Sequence, residues 1–167
     1  MNLFLLRHGI AVERGTPGCE RDADRPLTPK GERRLGRIAD AMGVMGLAFD
    51  LILSSPYVRA RQTAAIVTDA LGLKNKLKFS EALVPDGDAK MLIAALNKLK
   101  PPPENILLVG HEPNLSELIA TLISGDQRSA IDLKKGGLCK LEVESLRHGR
   151  CATLAWLLTP RQMGLMA

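Results

Sequence analysis

Three short polar clusters stand directly after three apolar runs. Arg7-His8-Gly9 follows Leu3–Leu6, Ser54-Ser55-Pro56 with Arg59 follows Asp50–Leu53, and Gly110-His111-Glu112 follows Asn105–Val109. An imidazole offers a nitrogen lone pair and titrates near neutral pH. A guanidinium keeps its charge and presents a planar fork that can grip two oxygens of one phosphate. Two histidines and two arginines gathered at one point would therefore suit a phosphoryl group. Each cation about 4 Å from a unit negative charge contributes on the order of 4 kcal/mol at an effective dielectric of ~20, before desolvation.

Gathering them requires neighbouring strands. In open α/β sheets, ligands bind beyond the carboxyl ends of parallel strands, and a helix N-terminus there is itself an anion site. The patterning supplies both. Leu35, Ile38, Ala39, Met42 and Met45 recur at helical spacing, as do Ala60, Thr63, Ala64, Val67, Ala70 and Leu71, which end at Gly72. Ser55 before Pro56 reads as an N-cap with proline at the first helical position, so Arg59 falls on the first turns of that helix. Leu92, Ala95, Leu96 and Leu99 mark a third helix that Asp88 would cap, and Leu115, Leu118, Ile119, Leu122 and Ile123 a fourth, closed by Gly125. Alternation in Leu138–Glu144 and in Ala152–Leu158 predicts a late antiparallel pair. The fold expected is α/β: a three-layer sandwich with a mostly parallel central sheet, helices on both faces, and one domain over residues 1–167.

Composition narrows the function classes. At 46% hydrophobic and 25% charged residues, the chain is of ordinary globular make-up. No apolar stretch approaches the ~18 residues of a membrane helix, and Arg7 and His8 follow the N-terminal apolar run rather than precede it as in a signal peptide. Three cysteines without C-x-x-C spacing suggest neither a disulfide framework nor a zinc site, so a reduced, cytoplasmic protein is expected. The formal charge of +5 permits nucleic acid, but five aromatic residues are too few for a stacking platform. Lys30-Gly-Glu32-Arg33-Arg34 reads as a solvated helix face, and neither nucleic acid nor membrane is expected as a partner.

The motifs carry a resemblance. Leu6-Arg7-His8-Gly9 after an N-terminal strand resembles the signature of the histidine phosphatase superfamily, which includes the cofactor-dependent phosphoglycerate mutases. Similarity continues in Arg25-Pro-Leu-Thr28-x-x-Gly31, in Ser54-Ser-Pro56-x-x-Arg59-Ala60-x-Gln62-Thr63 and in Val109-Gly-His111-x-Pro113. The pattern most resembles SixA-type phosphohistidine phosphatases. The resemblance implies a phosphoglycerate mutase-like fold with His8 as the residue that is phosphorylated. It further implies that Arg7 and Arg59 grip phosphoryl oxygens, that a cationic His111 is the second pocket histidine, and that Arg25 adds a loop-borne cation. No cofactor and no metal is implied, since these side chains supply the positive charge. The substrate implied is a phosphohistidine-bearing protein or a small phosphorylated molecule.

Two similar-looking motifs are set aside. Leu-Arg-His-Gly recurs at 146–149 between two strand patterns, where Gly149 serves a turn. Cys19-x5-Arg25 has the spacing of cysteine-dependent phosphatases, but Glu20, Asp22 and Asp24 would repel phosphate and the segment follows no buried strand. Alternatives stay open: a phosphatase or mutase of small esters, which needs an acid for its leaving group with Glu81 as the candidate, or a phosphate-recognition module without turnover.

Overall fold

The computed structural model describes residues Met1–Ala167. Its centre is one six-stranded sheet of β1 (Asn2–Arg7), β2 (Leu51–Ser54), β3 (Leu77–Phe79), β4 (Asn105–Gly110), β5 (Leu138–Val143) and β6 (Ala152–Leu158), in the order β3-β2-β4-β1-β5-β6. The strands β3, β2, β4 and β1 are parallel, and β5 pairs antiparallel with both β1 and β6. Parallel strands covered on both faces read as continuous apolar runs. Phe4, Leu6, Ile52, Leu107 and Val109 face the side covered by α1 (Pro29–Val44) and α2 (Val58–Leu71). Leu3, Leu5, Leu51, Leu53, Ile106 and Leu108 face α3 (Ala89–Asn97) and α4 (Asn114–Ser124). A short α5 (Pro160–Met163) packs beside α1 through buried Met163. The expected three-layer architecture and late antiparallel pair are present.

The chain leaves β1 through α1 on one face and leaves β4 through α4 on the other, so a crevice opens between the carboxyl ends of these two adjacent strands. Local details depart from the sequence reading. The cap of α2 is Tyr57, without a side-chain bond, and Ser55 and Pro56 lie ahead of it. Helix α3 buries Leu92, Ile93 and Leu96, leaving Ala95 exposed and Leu99 beyond its end, although Asp88 does cap it by accepting from the amides of Lys90 and Met91. Strand β3 carries no apolar pattern of its own, since three residues on a sheet edge need none.

Candidate active site

Strand register brings the three polar clusters together. Arg7 pairs with Gly110 and Ser54 with Val109, and the ladder runs one step further: the His8 amide donates to Gly110 O at 3.0 Å and the Ser55 amide to Val109 O at 2.9 Å. His8, Ser55 and His111 thus stand side by side at one sheet end, with the His8 and His111 ring centroids 4.9 Å apart. The backbone after the nucleophile candidate is locked from several directions. A Cβ on Gly9 would run into Leu35, and one on Gly31 into the Ile10 carbonyl. The Thr28 amide donates to that same carbonyl at 2.9 Å, while Thr28 Oγ1 caps α1 at Gly31 N. The Pro-Leu-Thr-x-x-Gly stretch is therefore a brace for the loop behind His8 rather than part of the pocket.

His8 is held in one tautomer. Its Nδ1 lies 2.7 Å from Gly9 O, which can only accept, and its Nε2 receives the Nε–H of Arg59 at 3.1 Å. The proton therefore sits on Nδ1 and the lone pair on Nε2. Burial first, then the neighbouring His111, keep the His8 pKa well below the usual range, so the ring is neutral at pH 7. Its own backbone neighbour supplies the acceptor that a nucleophilic imidazole needs.

In the free pocket His111 is also neutral, whereas the cationic form expected above is for a site holding a phosphoryl group. Burial and then the charge of Arg59 push it down to about 3. Its Nε2 lies 2.9 Å from Ser55 Oγ, which already accepts from the Tyr57 amide. Either tautomer of the ring satisfies that contact, since a hydroxyl can donate once and accept twice, and the other ring nitrogen, Nδ1, is a buried atom with no partner. Arg7 anchors one arm on Leu133 O at 2.9 Å and leaves its buried Nε unpartnered as well. A buried guanidinium N–H and a buried ring nitrogen, both without partners, thus stand beside the neutral nucleophile candidate.

Asp22 supplies an anion paired with Arg59, a role the sequence reading did not find. Its carboxylate accepts from Arg59 Nη2 at 2.8 Å and its backbone carbonyl from Arg59 Nη1 at 2.6 Å. Arg25, expected to face phosphate, instead donates to Asp22 Oδ1 at 2.9 Å and to Val12 O at 2.7 Å. Its charge is nevertheless felt in the pocket, where it helps to lower the pKa of both His111 and Arg59. Burial works against the charge of Asp22, but the bonds and charges of Arg59 and then Arg25 win and bring its carboxyl down to about 2. Glu81 lies at the same sheet end, since Ser80 N bonds to Ser54 O and Asn114 holds the carbonyls of Ala82 and Val84. Its side chain is exposed and holds no hydrogen bond. His148 is exposed on the β5–β6 hairpin and Cys19 lies on the loop before Asp22, so neither set-aside motif belongs to the site.

This fold and this paired-histidine pocket define a class. The family model of the histidine phosphatase superfamily (branch 1) matches residues 3–83. The phosphohistidine phosphatase SixA of Escherichia coli K12 is 30% identical over 127 residues, covering 75% of this chain and 76% of its own. An uncharacterised protein of Picosynechococcus sp. PCC 7002 is 37% identical over 148 residues, 88% of each chain. The solved structure of SixA complexed with tungstate matches with a TM-score of 0.82 at 26% identity, over 96% of this chain and 98% of that one. The chain belongs to the histidine phosphatase superfamily, a class of phosphatase enzymes. Within it, the likeness is to the SixA phosphohistidine phosphatases and runs along nearly the whole chain. No helix is long and apolar enough to cross a membrane.

Proposed function

We propose that this protein is a phosphohistidine phosphatase that works through a phosphoryl intermediate on Nε2 of His8. The observation that carries the reading is the fixed His8 tautomer, with Nδ1–H spent on Gly9 O and Nε2 free of a proton. A phosphoryl group entering beside it displaces Asp22 from part of Arg59, whose Nε–H then passes from His8 to a phosphoryl oxygen. Arg7 Nε supplies a further donor to the equatorial oxygens and His111 Nδ1 another once the ring is protonated, the usual main source of catalysis in phosphoryl transfer. The phosphate charge itself then favours protonated His111, which the free pocket disfavours. The lone pair on His8 Nε2 forms a bond to phosphorus as the bond to the departing imidazole breaks. Water next attacks phosphorus, the bond to His8 breaks, and phosphate leaves with the proton balance settled by solvent. The positive charge comes from side chains, so the reaction as proposed needs no metal.

A departing imidazole has a conjugate-acid pKa near ~6.5 and leaves protonated, whereas an alkyl ester leaves a strongly basic alkoxide unless an acid protonates it. Glu81 is exposed and no hydrogen bond orients its carboxyl as that acid, and this favours the phosphoramidate. Purified protein is given a phosphohistidine peptide and a simple sugar phosphate at neutral pH. The expected result is far faster turnover of the peptide, with Glu81→Gln losing less than about tenfold, the low end of a general acid's contribution. Faster turnover of the ester, collapsing in Glu81→Gln, would place the enzyme among the ester phosphatases.

A further inference from the structure

The cations on α1 lie on the solvated face that the sequence suggested, with Lys30, Arg33 and Arg37 exposed and Arg34 half-buried. Lys30, Arg33, Arg34 and Arg37 recur at i, i+3, i+4 and i+7, so they line one stripe of the helix. That stripe walls a cleft of about 490 Å³ against Pro160, Arg161 and Leu165. Arg34 and Arg161 also border a second cleft of about 690 Å³ that continues to Lys134, Lys135 and Arg7. No carboxylate lines either cleft. Of these cations outside the pocket, only Lys134 has an ion-pair partner, Asp132. Like charges at i, i+4 destabilise a helix, and here Lys30 faces Arg34 and Arg33 faces Arg37. Packing alone gives no return for this repulsion.

We infer that this cationic tract, leading from Arg7 out along α1 and α5, docks an acidic segment of the protein whose phosphohistidine is hydrolysed. This rests on the function proposed above and names the partner's surface. Lys30 to Arg37 alone spans roughly 10 Å at 1.5 Å per residue, longer than one phosphate and its ester. The side chains between the cations are aliphatic, Ile10, Pro160 and Leu165, with no ring on which a base could stack. Leu165 is 82% exposed at the outer cleft, an apolar contact that a protein segment can cover and a nucleic acid backbone cannot. Complementary charge of this kind speeds encounter and selects partners, and salt weakens it.

Two phosphohistidine peptides test the inference, one flanked by Asp and Glu and one by Asn and Gln. The acidic peptide is expected to show kcat/KM at least about tenfold higher at low salt, the advantage lying in KM and shrinking as salt rises. The triple variant Arg33→Gln/Arg37→Gln/Arg161→Gln should bring that preference close to one. A matched control, Lys76→Gln/Lys78→Gln/Lys100→Gln, removes equal charge near Asp50 and Glu104 at the other end of the sheet and should keep it. Equal turnover of both peptides by the unmodified enzyme, or equal loss in both triple variants, overturns the inference. A fluorescent acidic peptide without phosphate is followed by anisotropy in parallel. Tract-dependent binding of that peptide without turnover of either substrate upholds the docking surface while defeating the phosphohistidine reading. Tighter tract-dependent binding of a single-stranded oligonucleotide of equal charge would overturn the assignment to an acidic protein.

Discussion

Arg59 donates its Nε–H to the lone pair of His8 Nε2 at 3.1 Å, so the residue proposed to grip the substrate also covers the proposed nucleophile. Both side chains are buried, Arg59 at 2% and His8 at 5% exposure. In the empty pocket this bond keeps the imidazole oriented and its Nε2 free of a proton. An entering phosphoryl oxygen is the better acceptor for a guanidinium, since ionised partners make roughly twice the hydrogen bond that neutral ones do. In the proposed mechanism, loading the site and uncovering the nucleophile are then the same event.

A covalent phosphoryl group on His8 is the direct expectation. Protein quenched during turnover should retain label in alkali and lose it quickly in acid, where a phosphoramidate is protonated and breaks. His8→Ala should abolish both label and turnover. His148→Ala, on the exposed hairpin, should change neither. Label that survives in His8→Ala would place the nucleophile elsewhere.

Arg59 and Arg61 sit two residues apart and face opposite ways. Arg59 is buried against His8 and Asp22, while exposed Arg61 lies 5.9 Å from the ring centroid of Phe79. Arg59→Ala should lower kcat/KM by roughly 10²–10³, as loss of one oxyanion donor does. Arg59→Lys should recover little, because a point charge cannot reach His8 and two further acceptors together. Arg61→Ala should be nearly silent in the same assay. Comparable losses at the two positions would refute the placement.

In the proposed mechanism Asp22, paired with Arg59 at 2.8 Å, competes with phosphate for it. Replacing its carboxylate by an amide, Asp22→Asn, removes a nearby negative charge while keeping the backbone carbonyl that holds Nη1. Inhibition by inorganic phosphate should tighten by about three- to tenfold, the latter equal to ~1.4 kcal/mol. The value of kcat should fall modestly, because Arg59 is less firmly oriented. Weaker phosphate inhibition would mean that Asp22 assists the anion instead of opposing it.

Acid should destabilise the fold before it affects ordinary surface carboxylates. An unfolded histidine takes up its proton near pH ~6.5, whereas folded His111 resists protonation until about 3. His8 is shifted in the same direction by burial and by His111. Between those limits the unfolded chain holds the extra protons, so stability is full above pH ~6.5 and declines as pH falls, by up to ~1.4 kcal/mol per pH unit for each histidine. Asp22, held down to about 2, adds its own loss only below its ordinary value of 3.8. Denaturant midpoints followed by Trp156 fluorescence should drop from pH 7 to pH 5, and His111→Gln should flatten part of that slope. A midpoint that does not move over this range would contradict the neutral pair.

His8, Arg59 and His111 were legible because each follows or closely trails a buried run, and three such runs can end together only in a parallel sheet. What escaped depends on partners far along the chain. Ser55 looks locally like a helix cap, but its hydroxyl is engaged by His111, 56 residues away. Asp22 looks like one of several acids on an exposed loop, and only Arg59, 37 residues away, makes it part of the site. Arg25 was placed in the right region with the wrong neighbour, since sequence shows a cation but not the carboxylate that claims it. The basic stripe on α1 was visible residue by residue. Its orientation toward a cleft was not, because α5 is a four-residue helix with no periodicity to announce it.

The pocket's floor and its cover come from different kinds of chain. The floor grows from β1, β2 and β4, where each substitution disturbs the core. The cover is the excursion between Ala11 and Leu27, closed at its base by an isolated bridge between those two residues and largely exposed from Glu13 to Arg21. Changes there cost little folding stability, because surface substitutions usually shift it by less than about 0.5 kcal/mol. Mutation can therefore sample new covers while inheriting the same reaction, so descent within such a lineage should conserve how phosphate is transferred and let what it is transferred from drift.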